Sequence, residues 1–203
     1  MKIVQFGIPR SGSTLVTQIM KNALKEKVFK VHDYFGGDKI VCTYRDFRDS
    51  SISNWRTRIN PDKNRKISRQ EIYKQFKDTV LHVRSLRRYK EENKAIFLRY
   101  EDFVNNYNFI YDELEKYFNI KLDQENRIKL TNYSSFNQNM ERSKKFKNFS
   151  EWDDTGIHGL HLYKGQVGTW KEFINEDDID YINDLYFSLL IEWGYIKNSN
   201  YSK

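Results

Sequence analysis

The sequence predicts a three-layer α/β fold, with a central parallel sheet flanked by helices on both faces. Two observations lead there. Short runs of β-branched and apolar residues recur at positions 2–6, 28–31, 40–44 and 95–100. Between and after them lie longer segments whose apolar residues recur at helical spacing. Strands that alternate with helices form a parallel sheet covered on both sides.

The elements follow in chain order. Residues 2–6 read as a short buried strand, and residues 7–14 as a loop of small residues. Residues 15–25 then form a helix, with Leu15, Ile19 and Leu24 near one face. After the strands at 28–31 and 40–44, Ser68 and Glu71 fit a capping box that starts a long helix. Its core stripe is Ile72, Phe76, Val80 and Val83. The strand at 95–100 leads into a helix over 101–118, with Phe103, Ile110, Leu114 and Phe118 as its apolar positions. A further helix is expected near 123–130. Residues 141–169 are polar, basic and glycine-containing, and a loop of that length in a compact domain is a functional lid or a mobile segment. The last helix runs over 177–193 and stops at Gly194.

The 203 residues suit one domain, residues 1–203, and its 14 Phe, 14 Tyr and 4 Trp supply ample apolar area for a core. The single cysteine, Cys42, lies in an apolar run and reads as a small core residue. No apolar stretch is long enough to span a bilayer, and residues 1–6 carry no signal-peptide pattern, so the expected compartment is cytoplasmic. The net charge of +7 is uneven: residues 56–99 carry fourteen Lys or Arg against five Asp or Glu. Such a surface attracts polyanions or forms a solvated helix face.

The sharpest local pattern is Gly7-Ile8-Pro9-Arg10-Ser11-Gly12-Ser13-Thr14. It follows a strand and opens a helix, so backbone N–H groups and a helix N-terminus converge on an anion. The spacing nearly matches the NTPase P-loop, giving a P-loop-like fold, but Ser13 stands where that loop has its lysine, and the basic residue is Arg10.

Pro9-Arg10-Ser11-Gly12-Ser13-Thr14 resembles the first motif of sulfotransferases that use 3'-phosphoadenosine-5'-phosphosulfate (PAPS). Further segments carry the same resemblance in family order. Arg45 and Ser53 have the spacing of the family's 3'-phosphate motif, an Arg followed eight residues later by a Ser. Lys30-Val31-His32 is similar to its K-x-H, and Tyr100-Glu101-Asp102 to its Y-E-D. Ser134-Ser135-Phe136 is a weaker counterpart of T-S-F. The segment Lys164-Gly165-Gln166-Val167-Gly168-Thr169-Trp170-Lys171 resembles R-K-G-x-x-G-D-W-K, with Tyr163 in place of the Arg and Thr169 in place of the Asp. Leu15 departs from the aromatic that many cytosolic members place there, and the chain is short for the family, which implies trimmed acceptor loops.

The resemblance implies a transferase that moves a sulfuryl group from PAPS, as co-substrate, to a hydroxyl or amine, leaving the bisphosphate PAP. Ser11, Gly12, Ser13 and Thr14 would hold the 5'-phosphate, and Arg45, Ser53, Lys164 and Gly165 the 3'-phosphate. Tyr100 would reach the adenine, or be a core aromatic. His32 would be the base, with neighbouring Asp33 the competitor; Arg10 and Lys30 would stabilise charge. No metal is expected. Two other readings stay open: an ATP-dependent P-loop kinase, which would need magnesium, and a non-catalytic polyanion-binding protein. No nucleic-acid motif is present. The acceptor is a small molecule or a saccharide. Tyr34, Phe35, Trp55 and Trp152 are candidates for an aromatic acceptor pocket or for the core. The sequence leaves the oligomeric state open.

Overall fold

The computed structural model describes residues 1–58, 65–159 and 162–197. Residues 59–64 of the basic stretch, 160–161 of the long loop and 198–203 lie outside the described residues. Four strands, β1 (Ile3–Gly7), β2 (Val28–Val31), β3 (Lys39–Tyr44) and β4 (Ala95–Arg99), form one sheet in the order β2-β1-β3-β4. All three pairings are parallel: Phe6 lies between Val31 and Cys42, and Tyr44 faces Arg99. β1 therefore has a neighbour on each side, and all five of its residues are buried.

Successive strand residues point to opposite faces, and the core divides accordingly. Val4, Phe6, Ile40 and Cys42 pack on one side. They meet α2 (Phe47–Arg58), α3 (Arg69–Glu91) and α8 (Ile179–Glu192) through Trp55, Ile72, Val83, Leu86 and Tyr186. Ile3, Val41 and Leu98 pack on the other side. Their partners include Val16, Ile19 and Met20 of α1 (Ser13–Leu24) and Ile110, Tyr111 and Leu114 of α5 (Tyr107–Phe118). The three layers expected from the alternation are present. Cys42 is fully buried, and burial pushes its thiol well up.

The capping box at the start of α3 forms as its residue types require. Glu71 N–H donates to Ser68 Oγ at 3.4 Å, and Ser68 N–H donates back to a Glu71 carboxylate oxygen at 3.1 Å. Trp55 Nε1 donates to the same carboxylate at 3.1 Å, tying α2 to the first turn of α3.

Two boundaries differ from the sequence expectation. The helix expected over 101–118 is broken into α4 (Tyr100–Phe103) and α5. The break falls at Asn105-Asn106, where short polar side chains compete with the helical backbone, and Asn106 has non-helical dihedrals. After α6 (Gln124–Ser134), α7 (Phe136–Ser143) forms where no separate helix was expected. Ser135 caps it by accepting from Gln138 N–H at 3.3 Å. α8 begins at Ile179, after a 3-10 turn over Glu176–Asp178, and closes at Gly194, whose φ is +72°.

The described part of 144–168 is irregular but held down. Gln18 Nε2 donates to the Thr155 carbonyl at 3.2 Å, and Ser143 Oγ to the His158 carbonyl at 2.7 Å. A 3-10 turn, Thr169–Phe173, then packs beside α2.

Candidate active site

In a parallel sheet the segments leaving the C-terminal strand ends sit side by side. Here those of β1, β3 and β4 border one cavity of about 380 Å³. Arg10, Gly12, Ser13 and Thr14 line it from the loop after β1, Arg45 and Ser53 from the segment after β3, and Tyr100 from the end of β4. Lys164, Gly165 and Gln166 close it from the loop before the 3-10 turn. Four cations, Arg10, Arg45, Arg56 and Lys164, border it, and no carboxylate does among its described lining residues. Leu15, Val104, Tyr107 and Phe136 give it an apolar flank.

The loop after β1 is shaped by its small residues. A Cβ on Gly7 would lie 2.3 Å from Ser13 Cβ, and Gly12 has φ +79° with the Phe103 ring 2.9 Å from where its Cβ would be. Arg10 is also left-handed, at φ 71°, which turns its Nε to within 3.1 Å of Ser53 Oγ. Ser11 is turned away from the cavity: its hydroxyl donates to the Thr43 carbonyl at 3.1 Å, and its N–H to the Ile8 carbonyl. Its effect on the site is to latch the loop to β3.

Arg45 is nearly buried, with one side open to the cavity. Its guanidinium lies 4.5 Å from the Tyr100 ring centre, and Nη2 donates to the Gln166 carbonyl at 2.6 Å. Nη2 is also 3.2 Å from the Asp49 carboxylate, while its buried Nε has no hydrogen-bond partner among the described residues. Asp49 in turn accepts from Gly168 N–H at 2.7 Å and Trp170 N–H at 2.9 Å. The hydroxyl of Tyr100 donates to the Gly165 carbonyl at 3.1 Å. Gly165 is left-handed and lies over Phe136, whose ring is 2.9 Å from where a Cβ would sit.

Lys164 borders the cavity but is ion-paired with Glu172 at 2.7 Å, which raises the lysine and lowers the glutamate. Tyr163 donates to that same carboxylate at 3.1 Å.

Lys30 and His32 lie beside the loop after β1 and outside the cavity lining. Lys30 Nζ donates to Thr14 Oγ1 at 2.5 Å. Burial, then the nearby Arg10 and Lys21 charges, bring its ammonium down to about 8. His32 Nδ1 is 2.6 Å from the Gly7 carbonyl, so in the neutral ring Nδ1 carries the proton and Nε2 the lone pair. Asp33 points the other way, with its side chain 94% exposed.

The four aromatic candidates for an acceptor pocket do not come together. Trp55 is core, Tyr34 stacks on Tyr89 with ring centres 5.0 Å apart, and Trp152 is 63% exposed in the long loop. Asp49 and Arg56 carried no role in the sequence reading. The signal for both is helical spacing: Asp49 follows Arg45 by four and Arg56 follows Ser53 by three.

The family model described as a sulfotransferase domain matches residues 37–194. The chain belongs to the sulfotransferase family. Three solved structures share its fold. Mouse sulfotransferase SULT7A1, complexed with PAP, superposes with a TM-score of 0.71 at 16% identity over 98% of this chain and 84% of that one. Retinol dehydratase with androsterone and inactive cofactor PAP gives 0.65 at 14% identity, over 93% of this chain and 80% of that one. Retinol dehydratase with retinol and PAP gives 0.65 at 16%, over 93% and 81%. Compared with curated proteins by sequence, the chain finds no match. As a sulfotransferase it is a transferase of sulfuryl groups, with no described helix long and apolar enough to cross a membrane.

Proposed function

We propose that this sulfotransferase takes its sulfuryl group from PAPS and passes it to a hydroxyl or amine of a small-molecule or saccharide acceptor. The observation that carries the reading is the charge layout of the cavity. Arg10, Arg45, Arg56 and Lys164 border it together with Ser53, Gly165 and the Gly12–Thr14 segment, and no carboxylate does among its described lining residues. A cationic lining of this kind with an apolar flank suits an adenosine that bears a phosphate at each end of its ribose.

The transfer is an in-line displacement. An acceptor oxygen or nitrogen forms a bond to sulfur as the bond from sulfur to the 5'-phosphate oxygen breaks. The acceptor proton passes to Nε2 of His32, whose orientation is fixed by its Nδ1–H bond to the Gly7 carbonyl. The electron pair leaves on the phosphate oxygen of PAP, where Arg10 and Lys30 supply positive charge. Lys30 is held toward that end by Thr14.

Calorimetric titration with PAP beside ATP and magnesium tests the donor. Tight binding of PAP with weak binding of ATP is expected. A preference for ATP, or no binding of either, overturns the reading in favour of a kinase or a polyanion-binding protein.

A further inference from the structure

Arg56 is 93% buried, because only 7% of its surface is exposed, yet among the described residues it has no ion pair and its Nη2 has no hydrogen-bond partner. Burying a guanidinium without a carboxylate costs several kcal/mol in general, so such a group is rare unless something else meets it. Its desolvation is felt in its titration, which burial lowers and only the Tyr163 phenol opposes. Its guanidinium carbon lies over the Tyr163 ring, 4.3 Å from its centre, and the side chain borders the cavity. It projects from α2 one turn beyond Ser53, on the same face.

We propose that Arg56 is a direct ligand of the donor's 3'-phosphate, presented to it by the Tyr163 ring; this rests on the PAPS reading above. A guanidinium stacked on an aromatic face keeps its in-plane N–H groups available, the geometry that grips phosphate oxygens in pairs. Tyr163 is itself fixed through its hydroxyl to Glu172, which also engages Lys164. The lysine's charge is therefore partly engaged by Glu172, and Arg56 supplies a charge that no carboxylate among the described residues neutralises. Position 163 is where the related signature carries an arginine. In this chain that cation comes from α2 instead, and the ring at 163 serves as its platform.

The test is calorimetry on the full chain with two nucleotides, PAP and adenosine 5'-monophosphate, which lacks the 3'-phosphate. Arg56→Ala is expected to weaken PAP by about 10- to 100-fold, the worth of a charge-assisted phosphate contact, and to leave the monophosphate within about twofold. The unliganded variant should melt no lower than the parent, since a buried unpaired charge is removed. Adding Tyr163→Arg to Arg56→Ala should restore most of the PAP affinity. If Arg56→Ala does not fold, Arg56→Gln carries the same expectations. Equal losses for both nucleotides, or no loss for either, overturn the assignment of Arg56. Failure of the parent protein to bind PAP overturns the donor reading itself, and that outcome is visible before any variant is made.

Discussion

Lys30 Nζ lies 2.5 Å from Thr14 Oγ1, so a lysine from β2 reaches the first turn of α1 beside the glycine loop. Its ammonium titrates at about 8, lowered by burial and by Arg10 and Lys21. An anion bound at the loop favours the charged form and raises that value. PAP binding near pH 8 should therefore take up protons, and affinity should weaken as pH rises past the free protein's value. Titrations in buffers of different ionisation enthalpy read the uptake directly. Lys30→Met should abolish it, and a parent protein with no buffer dependence would refute the assignment. The same shift has a stability sign. Charged Lys30 costs the fold below pH 8, and that cost disappears as pH rises toward the ordinary lysine value, 10.5. Lys30→Met should thus stabilise the unliganded protein at neutral pH and lose that advantage in alkali.

His32→Ala should lower turnover by about 100-fold or more while sparing PAP affinity, since general-base groups contribute on that scale. Asp33→Asn should change little, because the Asp33 side chain points into solvent. Initial rates with PAPS and an acceptor found by screening, together with PAP titration, separate the two. If Asp33→Asn is the inactive variant, the base is Asp33.

Arg45→Ala should weaken PAP far more than adenosine 5'-monophosphate, and it should also lower the melting temperature. The second effect follows because Asp49, fully buried in side chain, loses its cation while keeping its N–H donors. A variant that loses both nucleotides equally would mark Arg45 as purely structural. Thermal melts and the paired titrations give both readings from one preparation.

Glu71→Ala should cost about 1 to 2 kcal/mol, the usual worth of a helix cap, with no effect on nucleotide affinity. Burial alone would raise Glu71, but hydrogen bonds from Ser68, Trp55 and Arg65 outweigh it and hold it near 2. A carboxylate lowered in the fold stabilises above its ordinary value of 4.5 and loses that contribution as pH falls toward 2. The parent and Glu71→Ala should therefore converge in denaturant midpoint as the solution is acidified. A gap that persists at pH 2 would contradict the role.

The strands and the glycine loop after β1 are legible because their signals are local. β2 was bounded to the residue, and the Ser68–Glu71 box stood out in four letters. The motif residues Arg10, Arg45, Ser53, Tyr100 and Gly165 border one cavity although they span most of the chain. Long-range partners were not legible. The hydroxyl of Ser11 could have faced a phosphate or the sheet, and only the nearness of Thr43 decides it. The cations at 56 and 164 look alike in sequence, yet one meets Glu172 and the other an aromatic face. The break at Asn105-Asn106 was hidden by apolar spacing that continues across it.

Asp49 joins residues on opposite sides of a very large loop: Gly168 and Trp170 are 119 and 121 positions away, as Gln166 is 121 from Arg45. Contacts of that separation pay their closure entropy late, after the local sheet and helices have begun to form. The cavity is thus expected to close late in folding, and a hydrogen-exchange pulse during refolding should label the Gly168 and Trp170 amides after those of the strands are protected. During synthesis, a chain that has emerged only through β4 holds the whole sheet and the loop at Gly12, and still lacks the wall that Gly165 and Gln166 contribute. Nucleotide capture would then report that the C-terminal segment has docked.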